Sequence, residues 1–222
     1  MKGNIMKRVN VLVDNESWIL PYAEILVRDL KERKIDALLC RSAASLSEGW
    51  ITFLLGCTKL ISEKDLKKSQ HNLVVHESAL PKGKGFAPVA WQILEGAHEI
   101  PVSLIEALPN KADAGNIWLQ DSIYLKGTEL CSEWRRLQGE CSICLCLKAV
   151  DDYQNIKPVK QQGEETFYPR RTPIDSELNV HDSLSSQFNL LRVVDNQHYP
   201  AFFYHDGKKY VLKIEQADIE DD

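Results

Sequence analysis

Apolar and polar positions fall in blocks whose period changes along the chain. Val9 to Val13 is a short apolar run followed by polar Asp14, Asn15, Glu16 and Ser17, and from Ile19 to Arg33 apolar Ala23, Leu26, Val27 and Leu30 recur three and four residues apart. The first pattern predicts a buried strand and the second a helix with one buried face. Asp36 to Cys40 reads as a second strand, Ser42 to Glu48 as a loop, Ile51 to Leu55 as a third strand ended by Gly56, and Glu63 to Ser69 as a short polar helix. Leu73, Val74 and Val75, bounded by polar Gln70 to Asn72, predict a buried strand with His76 at its C-terminal end. A helix from Ala87 to Glu95, with Pro88 in its first turn, and a strand from Val102 to Ala107 follow. Such alternation implies an α/β protein with a doubly wound, largely parallel sheet.

Beyond Asp113 the blocks lengthen. Ile117 to Leu125 is extended, and Leu130, Trp134, Leu137, Cys141, Cys144 and Lys148 recur at helical spacing, which puts the cysteines on a buried helix face. Asp151 to Asn179 is polar, carries Pro158, Pro169 and Pro173, and reads as a long surface segment. Asp182 to Arg192 reads as a helix, and the segments Ala201 to Tyr204 and Lys209 to Ile214 flank His205-Asp206-Gly207-Lys208, where Asp-Gly predicts a β-hairpin. The expected division is a main domain over residues 1–150, a linker over 151–180, and a small C-terminal helix and β-hairpin over 181–222. Met1 to Lys7 reads as a frayed leader, with Met6 an alternative start, and Glu215 to Asp222 as a solvated acidic tail.

Composition narrows the class. A chain of 222 residues, 44% of them apolar, suffices for one sizeable core. The net charge of −5 offers no basic footprint for nucleic acid. Residues 1–20 lack an apolar run long enough for a signal peptide, and no later stretch approaches the roughly 20 apolar residues of a membrane span, so a cytoplasmic protein is expected. The six cysteines are then reduced thiols. A zinc site would need a second Cys or His pair at ligand spacing, and none lies nearby, so no metal is expected and Cys141, Cys144 and Cys146 read as core packing.

Candidate chemistry concentrates between His76 and Gln92. A titratable side chain at a strand's C-terminal end lies where open α/β sheets bind ligands, and Gly83 and Gly85 let the following loop bend or approach a ligand. A lone histidine at a strand end is more often structural than catalytic. Gly83-Lys84-Gly85 is no dinucleotide fingerprint, which belongs after the first strand and needs a third glycine. Lys82 and Lys84 either draw an anion together with the following helix start or form a solvated basic loop; Arg170 and Arg171 carry the same two readings.

The segment HESALPKGKGFAP, from His76 to Pro88, resembles the His-x-Ser-Leu-Leu-Pro-x-x-x-Gly-x-x-Pro signature of the formyl-tetrahydrofolate-dependent formyltransferases. DAGNIWLQ, Asp113 to Gln120, resembles their Asp-x-Gly-x-Ile segment, and the likeness extends to Gly56 to Ile61 and, loosely, to the rest of the chain. Within the family the chain is most similar to short enzymes that formylate nucleotide-linked amino sugars. The resemblance implies a Rossmann-like formyltransferase fold, 10-formyltetrahydrofolate as donor, and the amine of a nucleotide-linked 4-amino-4,6-dideoxy sugar as acceptor. A pseudaminic-acid-pathway sugar, UDP-4-amino-4,6-dideoxy-N-acetyl-altrosamine, is a specific case. It also implies that residues 1–150 are catalytic, that His76 and Asp113 are the catalytic pair, and that Lys59, Leu60 and Ile61 lie against the folate; the anion drawn by Lys82, Lys84, Arg170 and Arg171 would then be a diphosphate. A homodimer formed through the C-terminal hairpin follows as well, covering Phe202, Phe203, Tyr204, Tyr210 and Val211.

Formyl transfer needs a neutral amine, a donor to the developing oxyanion and a path for the amine's proton. One departure stands out. Where the family has an Asn two residues before the histidine, this chain has Val74, which has no donor; Asn72, on the same strand face, would replace it only through a bulge. That departure motivates an alternative, a noncatalytic folate or nucleotide-sugar binding module. Formyl transfer to another amine, on tRNA-linked methionine or glycinamide ribonucleotide, is a further one. The few residues after Arg192 suit a hairpin rather than the barrel of the tRNA enzymes.

Overall fold

Val9–Leu12 (β1) is buried at every position, because parallel strands cover it on both sides and helices cover its faces. The computed structural model describes residues 8–217, so the expected leader and the end of the acidic tail lie outside the described residues. After β1 the chain forms α1 (Leu20–Glu32), β2 (Ala37–Cys40), β3 (Gly49–Leu54), the single turn α2 (Glu63–Leu66) and β4 (Ser69–His76). These four strands are parallel, in the order β2-β1-β3-β4. Ala23, Leu26, Val27 and Leu30 are the buried face of α1, as their spacing predicts.

The sheet then departs from strict βαβ winding. A two-residue strand β5 (Lys84–Gly85), α3 (Pro88–Leu94), β6 (Glu99–Glu106) and β7 (Ile117–Tyr124) follow, with β6 antiparallel to both β4 and β7. A parallel crossover requires a helix that carries the chain back along the whole strand; the seven residues of α3 rise about 10 Å, against about 26 Å for an eight-residue strand. The chain therefore enters β6 from the end that β4 has just left.

The long helix α4 (Cys131–Asp151) packs on α1 and on the sheet. Its buried face runs through Trp134, Gln138, Ser142, Leu145, Cys146 and Ala149, which corrects the expected face: Cys146 is buried, but Cys141 is half-buried and Cys144 exposed. Apolar residues occur all round this helix, so its spacing fits more than one face and contact with α1 selects among them. Among the described residues no three His, Cys, Asp or Glu side chains cluster as metal ligands, and no helix is long and apolar enough to cross a membrane.

The C-terminal part adds β8 (Phe167–Tyr168), α5 (Phe188–Val193) and a hairpin of β9 (Ala201–His205) and β10 (Lys208–Leu212). The helix is shorter than the expected Asp182 to Arg192. Ser183 accepts from the Ser186 amide at 3.0 Å, and Ser186 Oγ donates back to the Ser183 carbonyl at 2.8 Å, local bonds that compete with helical ones. The hairpin turns on Asp206 and Gly207, both left-handed (φ 48° and 73°), as a two-residue turn requires. Phe202 is buried, and Ala201 and Phe203 pack against Leu178, Leu191 and Val194, so its own chain covers part of the hairpin; Tyr204, Tyr210 and Val211 remain exposed.

Candidate active site

His76 ends β4, where the parallel ladder stops and the loop to α3 leaves the sheet. Its ring is almost wholly buried: Nε2 lies 2.8 Å from the Gly83 carbonyl oxygen and Nδ1 lies 3.5 Å from Asp113 Oδ1. A proton on Nε2 serves the Gly83 carbonyl, and Nδ1 and Oδ1 are placed to hold a second proton between them.

Asp113 is held from three sides. Its Oδ2 accepts from the Gly85 amide at 3.0 Å, its carbonyl accepts from Gln161 Nε2 at 2.9 Å, and its backbone is left-handed (φ 50°). The same Gln161 nitrogen reaches the Gly115 carbonyl at 2.9 Å. Two glycines make the approach sterically feasible. A Cβ on Gly115 would collide with the Glu106 carbonyl, and one on Gly85, at φ 102°, with the Tyr168 carbonyl. Thus the glycines near the two motifs let loops lie directly on neighbouring backbone and bring histidine and aspartate together.

The other predicted residues divide. Val74 packs against the apolar group of Leu80, Ile105 and Ile117, next to His76. Asn72 does not join His76: its Nδ2 donates to the Leu66 carbonyl at 2.9 Å, and the β3–β4 register runs unbroken from Ile51↔His71 to Leu54↔Val74. No bulge brings the amide inward. In the loop after β3, Asp14 accepts from the backbone amides of Thr58 (3.0 Å) and Lys59 (3.3 Å), Leu60 is exposed, and Ile61 is buried with Leu54 and Leu66. Lys84 is buried and paired with Glu165 at 2.6 Å, and only Lys82 of the two lysines is exposed. The basic loop is thus half-neutralised by the segment that reads as a linker.

That segment also walls a cavity of about 460 Å³, which Val75 and Glu77, on either side of His76 in the chain, help to line. Arg170 and Arg171 line it, together with Phe86, Val75, Glu77 and Trp134. The Arg170 guanidinium stacks 4.4 Å from the Phe86 ring centre, and Arg171 donates to the Asp175 carbonyl at 2.9 Å. Tyr168 stacks on Trp91, whose indole donates to the Pro169 carbonyl at 2.9 Å, which fixes the segment to α3.

Sequence reasoning missed Glu77, Gln138 and Gln161. Glu77 Oε1 accepts from Gln138 Nε2 at 2.6 Å, and burial pushes its carboxyl pKa up, against the opposing pull of His76 and Gln138. Adjacency to His76 was its only signal in the sequence, since burial is not written there. Gln161 sits in a polar stretch without periodicity, and nothing local points to it.

No protein-family model matches the chain. Among solved structures it is similar to methionyl-tRNA formyltransferase from Clostridium thermocellum, at 18% identity and a TM-score of 0.77 over 96% of this chain and 94% of that one. It is similar also to a sugar N-formyltransferase from Shewanella sp. (13% identity, TM-score 0.69, 97% of this chain and 100% of that one). HypX from Aquifex aeolicus in complex with tetrahydrofolic acid matches at 19% identity and a TM-score of 0.77, over 94% of this chain but 38% of that longer one. The chain therefore has the fold of the formyltransferases, on which a buried histidine at the end of β4 meets the aspartate of the loop before β7.

Proposed function

We propose that this protein is a cytoplasmic enzyme that transfers a formyl group from 10-formyltetrahydrofolate to the amine of a nucleotide-linked 4-amino-4,6-dideoxy sugar, with UDP-4-amino-4,6-dideoxy-N-acetyl-altrosamine as a specific case. The observation that carries the reading is the buried meeting of His76 and Asp113, from separate motifs, in a fold shared with formyltransferases.

The surroundings of the pair fit a folate. Among the described residues Gln161 Oε1 is buried without a partner, one residue contact away from Asp113, and so offers an acceptor to a pterin N–H; Val74, half-buried over the core residues Leu80, Ile105 and Ile117, adds an apolar side chain next to His76. In the same reading Lys59, Leu60 and Ile61 border the ring. When bound, the donor supplies an electrophilic formyl carbon.

The chain's own residues then have distinct tasks. His76 offers its Nε2–H, which the Gly83 carbonyl accepts in the free protein, to the negative charge that develops on the transferred carbonyl once the donor displaces that bond, a task that Val74 leaves to it alone among the predicted donors. Asp113 orients the imidazole and takes a proton at Oδ1, while the Gly85 amide holds the other carboxylate oxygen. Arg170 and Arg171 face a phosphate in the cavity, where among the described residues neither makes a close ion pair, and Lys82 adds long-range attraction. Lys84, already paired with Glu165, shapes the loop instead. A homodimer would cover Tyr204, Tyr210 and Val211.

The test is incubation with 10-formyltetrahydrofolate and a panel of UDP- and dTDP-linked amino sugars, read by mass spectrometry. A formylated sugar is expected. Folate binding without formylated product from any sugar, methionyl-tRNA or glycinamide ribonucleotide would instead establish a binding module.

A further inference from the structure

Glu77 is a carboxylate with no lysine or arginine beside it among the described residues, and the neighbouring imidazole of His76 is the titratable group that favours its charge. Among those residues its one close side-chain partner is the neutral amide of Gln138, at 2.6 Å. Gln138 is itself buried on α4, and its Nε2 is aimed at this carboxylate, so Glu77 is held in a fixed position on the cavity wall. Leaving a half-buried carboxylate without a counter-charge is costly, and a positively charged group in the cavity would offset that cost.

The same cavity carries the opposite imbalance elsewhere on its lining. Arg170 stacks on Phe86 and Arg171 donates to the Asp175 backbone carbonyl, and among the described residues neither guanidinium group makes a close ion pair with a carboxylate, although the Asp175 carboxylate lies near enough to Arg171 to favour its charge. Arg135, the third arginine on the lining, is neutralised by Asp195 at 2.7 Å. Val75, Leu55 and Trp134 provide apolar walls. The lining therefore complements a molecule with an ammonium group at one point, a phosphate at another and a partly apolar body between them.

We infer that Glu77 is the amine-binding residue of this cavity: its carboxylate receives the ammonium of a phosphate-bearing amine whose phosphate meets Arg170 and Arg171, and takes one proton from it to leave the neutral amine that formyl transfer needs. The inference deepens the proposed function and rests on it for the identity of the amine. Glu77 follows His76 directly in the chain, at the strand end from which the histidine projects. Charge-assisted hydrogen bonding also distinguishes this amine from a hydroxyl at the same carbon, which a neutral side chain would bind about equally.

Calorimetric binding of 4-amino-4,6-dideoxyglucose and 6-deoxyglucose, each as the UDP- and dTDP-linked compound, tests this without folate or turnover. The unaltered protein is expected to bind the amino form about tenfold or more tightly than the hydroxyl form. Glu77→Gln, which retains an acceptor for Gln138, should erase that preference, and Glu77→Asp should retain part of it. No preference in the unaltered protein, or one that survives Glu77→Gln, overturns the role of Glu77 while leaving formyl transfer intact. If neither form binds in either nucleotide series, the inference and the sugar acceptor both fall, and formyl transfer to another amine is then read by the product assay. If Glu77→Gln does not fold, Glu77→Asp carries the comparison, and an undiminished preference there overturns the role of Glu77.

Discussion

Gln161 Nε2 donates to the Asp113 carbonyl at 2.9 Å, so a residue of the polar segment between α4 and α5 fixes the loop that carries the candidate proton acceptor. Gln161→Ala removes this bond and the one to the Gly115 carbonyl. Turnover should fall about tenfold, because a loosened Asp113 loses its alignment with His76, with only a small change in melting temperature. Steady-state kinetics beside thermal melts would show it; unchanged turnover would mean that Gly85 and the backbone alone position Asp113.

His76→Asn and Asp113→Asn should each reduce turnover by about two orders of magnitude or more, while the melting temperature and folate affinity stay near those of the unaltered protein. Asn72→Ala serves as the contrast. Since its amide is occupied by Leu66, turnover should not change, although stability should drop by about 1 kcal/mol. Near-normal turnover in either of the first two variants removes that residue from the mechanism.

Asp195 sets a pH dependence of stability. Burial opposes its ionisation, but hydrogen bonds from Arg135 and from the Gln197 and His198 amides prevail, and its pKa lies well below the usual aspartate range. A carboxylate whose pKa is lowered on folding contributes stability that is complete above its unfolded value, near 3.9, and is lost as the pH falls through the lower folded one. Asp195→Asn should therefore lower the melting temperature at pH 7 and flatten its decline below about pH 4. Parallel melting curves for the two proteins across the acid range would refute this.

The hairpin leaves Tyr204, Tyr210 and Val211 exposed, although Phe202 and much of Phe203 are covered from within the chain. A second copy of the hairpin is the expected cover, and light scattering at micromolar concentration should give twice the monomer mass. Val211→Arg, at an exposed position that the fold does not need, should yield a folded monomer. A monomeric unaltered protein would show that these side chains tolerate solvent.

Period and punctuation in the sequence determined the six strands of the main sheet, α1 and α3, the hairpin turn and the placement of His76 at a strand end, but not the two-residue strands β5 and β8. These depend on local patterns: one buried face per helix, apolar runs for strands covered on both sides, and Asp206-Gly207 for a left-handed turn. The motif likeness also singled out Asp113 far along the chain. Tertiary structure alone decided the rest. The direction of β6 followed from the length of α3 relative to the strands, and the buried face of α4 from its packing on α1, because apolar residues surround that helix. Asn72 turned to Leu66, Lys84 to Glu165, and Glu77 to Gln138 across a cavity, each settled by a partner distant in sequence or by the unbroken register of a ladder. A carboxylate, an amide or an ammonium shows its chemical type in the sequence, but whether it is neutralised, buried or left for a ligand depends on which distant residue the fold places within about 3 Å of it.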